Sequence, residues 1–190
     1  MIIGITGNSG SGKSEISKII AKKINAKIID ADKIVQQIAE PGNEYYEKQA
    51  ELFGKEILIN NELNKKKIAE IIYKNSEKRE ALNKLTYKYV VDEIKNQIEQ
   101  DKNNIIDAPL LFESGLDKLC DFTIGVLANN KIKVARICNR DNIDEETALS
   151  RLKIQENDEF YIKNADYIVE NNGNINEINL EEICTKIGKN

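Results

Sequence analysis

Histidine and tryptophan are absent from the 190 residues, and there are only two prolines, one methionine and three cysteines. Without histidine there is no imidazole base, no Ser-His-Asp triad and no His-ligated metal, so acid–base chemistry falls to carboxylates, Lys or Tyr. Cys120, Cys138 and Cys184 are odd in number, far apart and without a Cys-x-x-Cys pair. That argues against a disulfide framework or a zinc site and leads to the expectation of a reducing, cytoplasmic setting. No apolar run approaches the ~20 residues of a membrane span, and Met1 to Ile5 lacks the basic start and long apolar core of a signal peptide. Arginine is scarce in a lysine-rich chain, with only Arg79, Arg136, Arg140 and Arg151. The net charge of −4 argues against nucleic acid as a partner while leaving room for a local positive pocket.

With 41% hydrophobic and 32% charged residues, the chain has enough apolar surface for one folded core. Ile2, Ile3 and Ile5 run into Gly7 as a buried strand, and Lys13 to Ile24 follows as a helix with Ile16, Ile19, Ile20 and Ile24 on one face. Further short strands are expected at Lys27–Ile29, Asn104–Asp107, Phe122–Leu127 and Tyr167–Val169. None alternates cleanly, which suits a parallel sheet covered on both faces. Helices are expected over 31–39, 44–53, 65–73, 131–139, 145–155 and 176–187. A long one runs from Ser76, as its N-cap, to about Gln100, with Val91, Ile94 and Ile98 on one side. Alternating strands and helices predict a doubly wound α/β domain. The 75 or so residues between the second and third strands exceed an ordinary crossover and read as a helical substrate-binding insert.

Gly7-Asn8-Ser9-Gly10-Ser11-Gly12-Lys13-Ser14 fulfils the pattern Gly-x4-Gly-Lys-Ser between a strand and a helix. Its glycines allow backbone N–H groups to face phosphates, and the following helix adds its positive end. Asn8, Ser9, Gly10, Ser11, Gly12, Lys13, Ser14 and Glu15 are therefore expected to bind ATP, with Lys13 on the β- and γ-phosphates and the Ser14 hydroxyl on Mg²⁺. The guanine-reading Asn-Lys-x-Asp of a GTPase is missing, since Asn130-Lys131-Ile132-Lys133 lacks the Asp. A small chain with a helical insert and a late arginine cluster fits a small-molecule kinase.

Arg136, Arg140 and Arg151 flank the turn Asp141 to Asp144. Phosphoryl transfer needs planar cations that close over spreading charge, so these helices read as a lid, with Arg140 its catalytic arginine; the alternative is a solvated charged face. Asp30-Ala31-Asp32 closes the second strand. Asp32 is the candidate base for an attacking hydroxyl, and either carboxylate also suits a helix cap. Asp107 ends the third strand, where it either holds Mg²⁺ through water or caps the strand.

These segments together resemble the dephospho-coenzyme A kinase family along essentially the whole chain. The resemblance lies in the phosphate loop, Ile29 to Asp32, Glu40-Pro41-Gly42, Phe53-Gly54, Asp107-Ala108-Pro109-Leu110-Leu111-Phe112-Glu113, Arg136-x3-Arg140-Asp141, Arg151-x3-Gln155 and Ala165 to Gly173. It implies a five-stranded parallel sheet of P-loop kinase type with a helical insert and a helical lid. The core would take about 1–35, 102–135 and 156–190, the insert about 36–101 and the lid about 136–155. It implies ATP-dependent phosphorylation of the ribose 3′-hydroxyl of dephospho-coenzyme A. Asp32 would be the base and Arg140 the lid arginine. Asn172 would lie beside the adenine, and Pro109, Leu110, Leu111 and Glu113 in the acceptor pocket with Asp32. Two positions depart from the family's habit: Tyr87-Lys88 stands for His-Pro, and Asn64-Lys65 for Asp-Arg. The other readings are a shikimate- or nucleoside-monophosphate-type kinase, and a non-catalytic nucleotide-binding switch.

Overall fold

Ile3 and Ile5 have no surface exposed to water, and Gly4 between them is buried as well. In the computed structural model, which describes residues 1–173 and 178–187, β1 (Ile2–Thr6) is the middle strand of a five-stranded sheet. Its neighbours are β5 (Asn103–Asp107) on one side and β6 (Phe122–Leu127) on the other. β2 (Ala26–Asp30) lies beyond β5, and β7 (Tyr167–Glu170) beyond β6. All four pairings are parallel, as the continuous apolar runs predict. The strand order reverses direction at β1, so the loop leaving its carboxyl end lies at the switch point of the sheet.

The chain divides into two compact units, residues 1–30 with 98–190, and residues 31–97. In the first, α1 (Lys13–Ile24) buries Ile16, Ile20 and Ala21 against Ile3, Ile5, Ile105, Ile124 and Val126. Ile183 and Ile187 of α9 (Leu180–Ile187) join the same cluster. Each such isoleucine, fully removed from water, contributes about 1.5–3 kcal/mol. The expected helix over 176–187 thus begins at Leu180, and its first residues fall outside the described ones. α6 (Asn130–Asp141) and α7 (Glu145–Lys153) close a small core of Val134, Ile137 and Ala148. Between them Asn142 takes a left-handed conformation, φ 52°, and the Asp144 side chain caps α7 by accepting from Thr147 N–H at 2.7 Å. α7 ends two residues before the expected Gln155. A further helix, α8 (Asp158–Asn164), capped by Asn157, was not expected.

The second unit holds α2 (Ala31–Ile38), α3 (Glu44–Phe53), α4 (Lys65–Lys74) and α5 (Ser76–Gln97), packed around Phe53, Ile57 and Ile68. A two-residue hairpin, β3 (Leu58–Ile59) and β4 (Glu62–Leu63), turns through Asn60 and Asn61 at φ 51° and 66°. The cap of α5 is Asn75, whose Oδ1 accepts from Lys78 N–H at 2.9 Å; Ser76 is already helical, because its neighbour's amide reaches the free donor first. On this helix the buried pair is Val90 and Ile94, at i and i+4, while the expected Val91 and Ile98 are half-buried. Asn64 caps α4 by accepting from Lys67 N–H, and Lys65 is the first helical residue. Among the described residues no helix is long and apolar enough to cross a membrane.

Candidate active site

The loop from Gly7 to Gly12 joins β1 to α1. Gly10 and Gly12 sit at φ 78° and 86°, in the left-handed region that side chains resist. A Cβ on Gly10 would lie 2.5 Å from the Lys133 carbonyl oxygen, and one on Gly12 would collide with the Asn171 amide. The glycines therefore serve both the curl and the close packing of α6 and the end of β7 against its outside. Ser11 N–H closes the turn onto Asn8 O at 3.0 Å. Gly12, at the N-cap, offers no side chain to the first N–H groups of α1, which leaves them to a ligand.

The loop is held from neighbouring elements at Asn8, Ser9, Gly10 and Ser11. Arg136 Nη1 donates to the carbonyls of Gly10 and Ser11, both at 3.2 Å, and Asn171 Nδ2 donates to Ser11 O at 2.8 Å. Arg136 Nη2 also reaches Asn171 Oδ1 at 3.3 Å, so one guanidinium and one buried amide share the work. These contacts take up the carbonyls of Gly10 and Ser11, while the N–H of Ser11 is used within the turn and that of Ser9 is met by Gln155. Asn172, expected to bind the nucleotide, accepts from Asn129 N–H at 2.7 Å, tying the end of β7 to the start of α6.

Lys13 forms an ion pair with the Asp107 carboxylate at the end of β5, their side chains 11% and 5% exposed. Two charges so far from water need each other. Asp30, half-buried, lies in register with Asp107 on the neighbouring strand. Ser14 is exposed in the first turn of α1, as is Glu15. The Ser14 hydroxyl and the Asp107 carboxylate, both hard oxygen donors, suit Mg²⁺. In the second unit, Asp32 is exposed in the first turn of α2, which follows β2 directly in the chain.

Arg140 clasps its neighbour Asp141 with two bonds, Nε to Oδ1 at 2.7 Å and Nη2 to Oδ2 at 3.0 Å, and its Nη2 also donates to Ser9 Oγ at 3.2 Å. Arg151 Nη1 meets the same carboxylate at 2.6 Å. The Arg140 guanidinium, with Arg151 beside it, holds the Asp141 carboxyl below the usual carboxylate range. Lysine has no planar fork for this double contact. Arg140→Lys is expected to lower kcat roughly ten- to a hundredfold while raising the KM for ATP far less. Steady-state kinetics check this, and a change confined to KM would mark a residue of uniform binding.

A cavity of about 260 Å³ opens beside Gly7 and Asn8, lined also by Pro109, Leu110, Glu113, Gln155 and Tyr161. Burial pushes the Glu113 carboxyl up, and its Oε2 has no hydrogen-bond partner among the described residues. Thr6 Oγ1 fixes the turn before it by donating to Pro109 O at 3.0 Å. Leu111, expected in the acceptor pocket, belongs to the core: it is fully buried, and its methyls fill the space that a side chain at Gly4 would need. A run of leucines after a strand does not reveal which of them turns inward.

The parts that three residues play around the loop were not expected: Asn171, whose segment was expected beside the adenine, and Lys133 and Gln155. Lys133 is buried and pairs with Asp158 at 3.1 Å. Gln155 accepts from Ser9 N–H at 2.9 Å. The sequence carried a signal for two of them, since Gln155 and Asn171 lie in the segments Arg151-x3-Gln155 and Ala165 to Gly173.

The family described as Dephospho-CoA kinase matches residues 1–177. A protein named Dephospho-CoA kinase from Fusobacterium nucleatum is 41% identical over 192 residues, covering 98% of each chain. A crystal structure from Thermus thermophilus superposes with a TM-score of 0.81 at 26% identity, covering 100% of this chain and 96% of that one. A structure titled Dephospho-CoA kinase from Campylobacter jejuni gives 0.66 at 27% identity, over 99% and 95% of the two chains. With the family model covering residues 1–177 and a named relative 41% identical over 98% of both chains, the chain belongs to the dephospho-CoA kinase family.

Proposed function

We propose that the chain transfers the γ-phosphoryl group of ATP to the ribose 3′-hydroxyl of dephospho-coenzyme A, giving coenzyme A and ADP. The whole-length family match carries the identity of the acceptor. The glycine-rich loop before α1, with its Gly10 and Ser11 carbonyls held by Arg136 and Asn171, supports the donor. In this reading Asn8 to Glu15 receive the nucleotide, and Lys13 offsets the charge of the β- and γ-phosphates. Arg136 keeps the loop in shape, Arg140 covers the transferring group, and Asn172 borders the adenine. Asp32 accepts the proton of the 3′-hydroxyl as that oxygen bonds to phosphorus and the bond to the ADP oxygen breaks. Ser14 and, through water, Asp107 would hold Mg²⁺, which when bound neutralises phosphate charge. Pro109, Leu110 and Glu113 would line the acceptor's place, without Leu111.

Residues 36–101 are read as the acceptor-binding insert and 136–155 as a lid, within one kinase domain. The three free thiols suit a reducing, cytoplasmic setting, and the net charge of −4 suits a small-molecule partner rather than nucleic acid. A panel of acceptors tests the reading. With ATP and Mg²⁺, ADP formation should depend on dephospho-coenzyme A and exceed that with shikimate or nucleoside monophosphates by roughly a hundredfold or more. Equal turnover of any of these, or ATP hydrolysis indifferent to acceptor, would sink it.

A further inference from the structure

Gln155 leaves the end of α7 and reaches back to the start of the phosphate loop, where its Oε1 accepts from Ser9 N–H at 2.9 Å. A backbone N–H only donates, so the amide is oriented: oxygen on the loop, both Nε2 hydrogens turned elsewhere. The next residue repeats the attachment, with Asn8 Nδ2 donating to Glu156 O at 3.0 Å. Two successive residues of the loop are thus held by two successive residues of the segment joining α7 to α8. Ser9 is also touched from α6, through Arg140 Nη2 on its hydroxyl at 3.2 Å. Gln155 borders both cavities that Asn8 borders, of about 550 and 260 Å³. Its neutrality matters there. A carboxylate in the same place would hold the same N–H but would repel phosphate oxygens, the more so the higher their charge.

We infer that Gln155 is a positioning residue for the nucleotide: a neutral acceptor that fixes the Ser9 peptide and makes the phosphate-binding shape of the loop depend on the segment between α7 and α8. This rests on ATP as the donor and not on the identity of the acceptor. Calorimetric titration with ATP and with ADP, no acceptor present, tests it on the wild type, Gln155→Met and Gln155→Glu, with melting temperatures alongside. Gln155→Met keeps the length and loses the acceptor, and should weaken ATP roughly tenfold with little change in melting temperature. Gln155→Glu keeps the bond to Ser9 and should weaken ATP more than ADP. An ATP affinity within about twofold of wild type in Gln155→Met overturns the inference. So does an equal loss for ATP and ADP in Gln155→Glu, which would mark a purely structural tie. A wild type that binds ATP yet leaves dephospho-coenzyme A unphosphorylated would refute the acceptor reading and leave these titrations interpretable.

Discussion

Asp32→Asn is expected to lower kcat with dephospho-coenzyme A by a factor on the order of 10²–10⁴, with ATP affinity nearly unchanged. A ribose hydroxyl is a poor nucleophile near neutral pH. In a loose, metaphosphate-like transition state its proton leaves late, so the base orients the hydroxyl as well as deprotonating it. No histidine exists to serve. Asparagine keeps the shape and still orients the hydroxyl, but it cannot take the proton. Asp30→Asn is the matched control, because Asp30 ends β2 in register with Asp107 while Asp32 stands exposed in the first turn of α2. Steady-state kinetics of both variants, with ATP binding by calorimetry, decide between them. Retention of more than about a tenth of wild-type kcat by Asp32→Asn would make the base role untenable. A dead Asp30→Asn beside an active Asp32→Asn would move the role two residues upstream.

The second large effect is that of Lys13→Ala, for which turnover should fall by on the order of 10²–10³ or more, as for loss of a preorganised charge stabiliser. The ion pair with Asp107 adds a second consequence. Removing the ammonium leaves a nearly buried carboxylate without its counter-charge, and breaking such a pair costs roughly 3–5 kcal/mol unless the carboxyl takes up a proton. The variant should therefore also melt earlier. Combining it with Asp107→Asn should restore much of the melting temperature and none of the turnover. That separates the catalytic loss from the folding loss. Near-normal kcat in Lys13→Ala would overturn the phosphate-loop assignment, and recovered activity in the double variant would trace the defect to folding.

The parts legible from sequence were those where one residue type answers one local demand. Lys13 to Ile24, Glu44 to Phe53 and Phe122 to Leu127 were read to the residue, because their apolar patterns are local signals and the two helices are bounded by Gly12 and Asn25 and by Asn43 and Gly54. The hairpin at Leu58 to Leu63 was missed because two-residue strands carry no period, although Asn60-Asn61 is a turn signal. α8 was missed for a similar reason, with only seven residues after its Asn157 cap. The site divides in the same way. Gly10, Gly12 and Lys13 announce themselves through the geometry a phosphate requires. Gln155 and Asn171 are ordinary amides whose part depends on which backbone group they meet, 146 and 160 residues away along the chain. Leu111 was misplaced because inward and outward leucines look alike in a motif.

The tight turns at Asn25, Asn60, Asn61 and Asn142 share a further consequence. All four adopt the left-handed conformation that glycine enters most freely, yet each is asparagine, whose short amide tolerates it. Glycine would relieve the strain of the folded turn but would enlarge the set of shapes open to the denatured chain. Asparagine takes the opposite bargain: slightly more strain when folded, less disorder to surrender on folding. The bend between α6 and α7 therefore owes part of its persistence to how little freedom the chain has there before it folds.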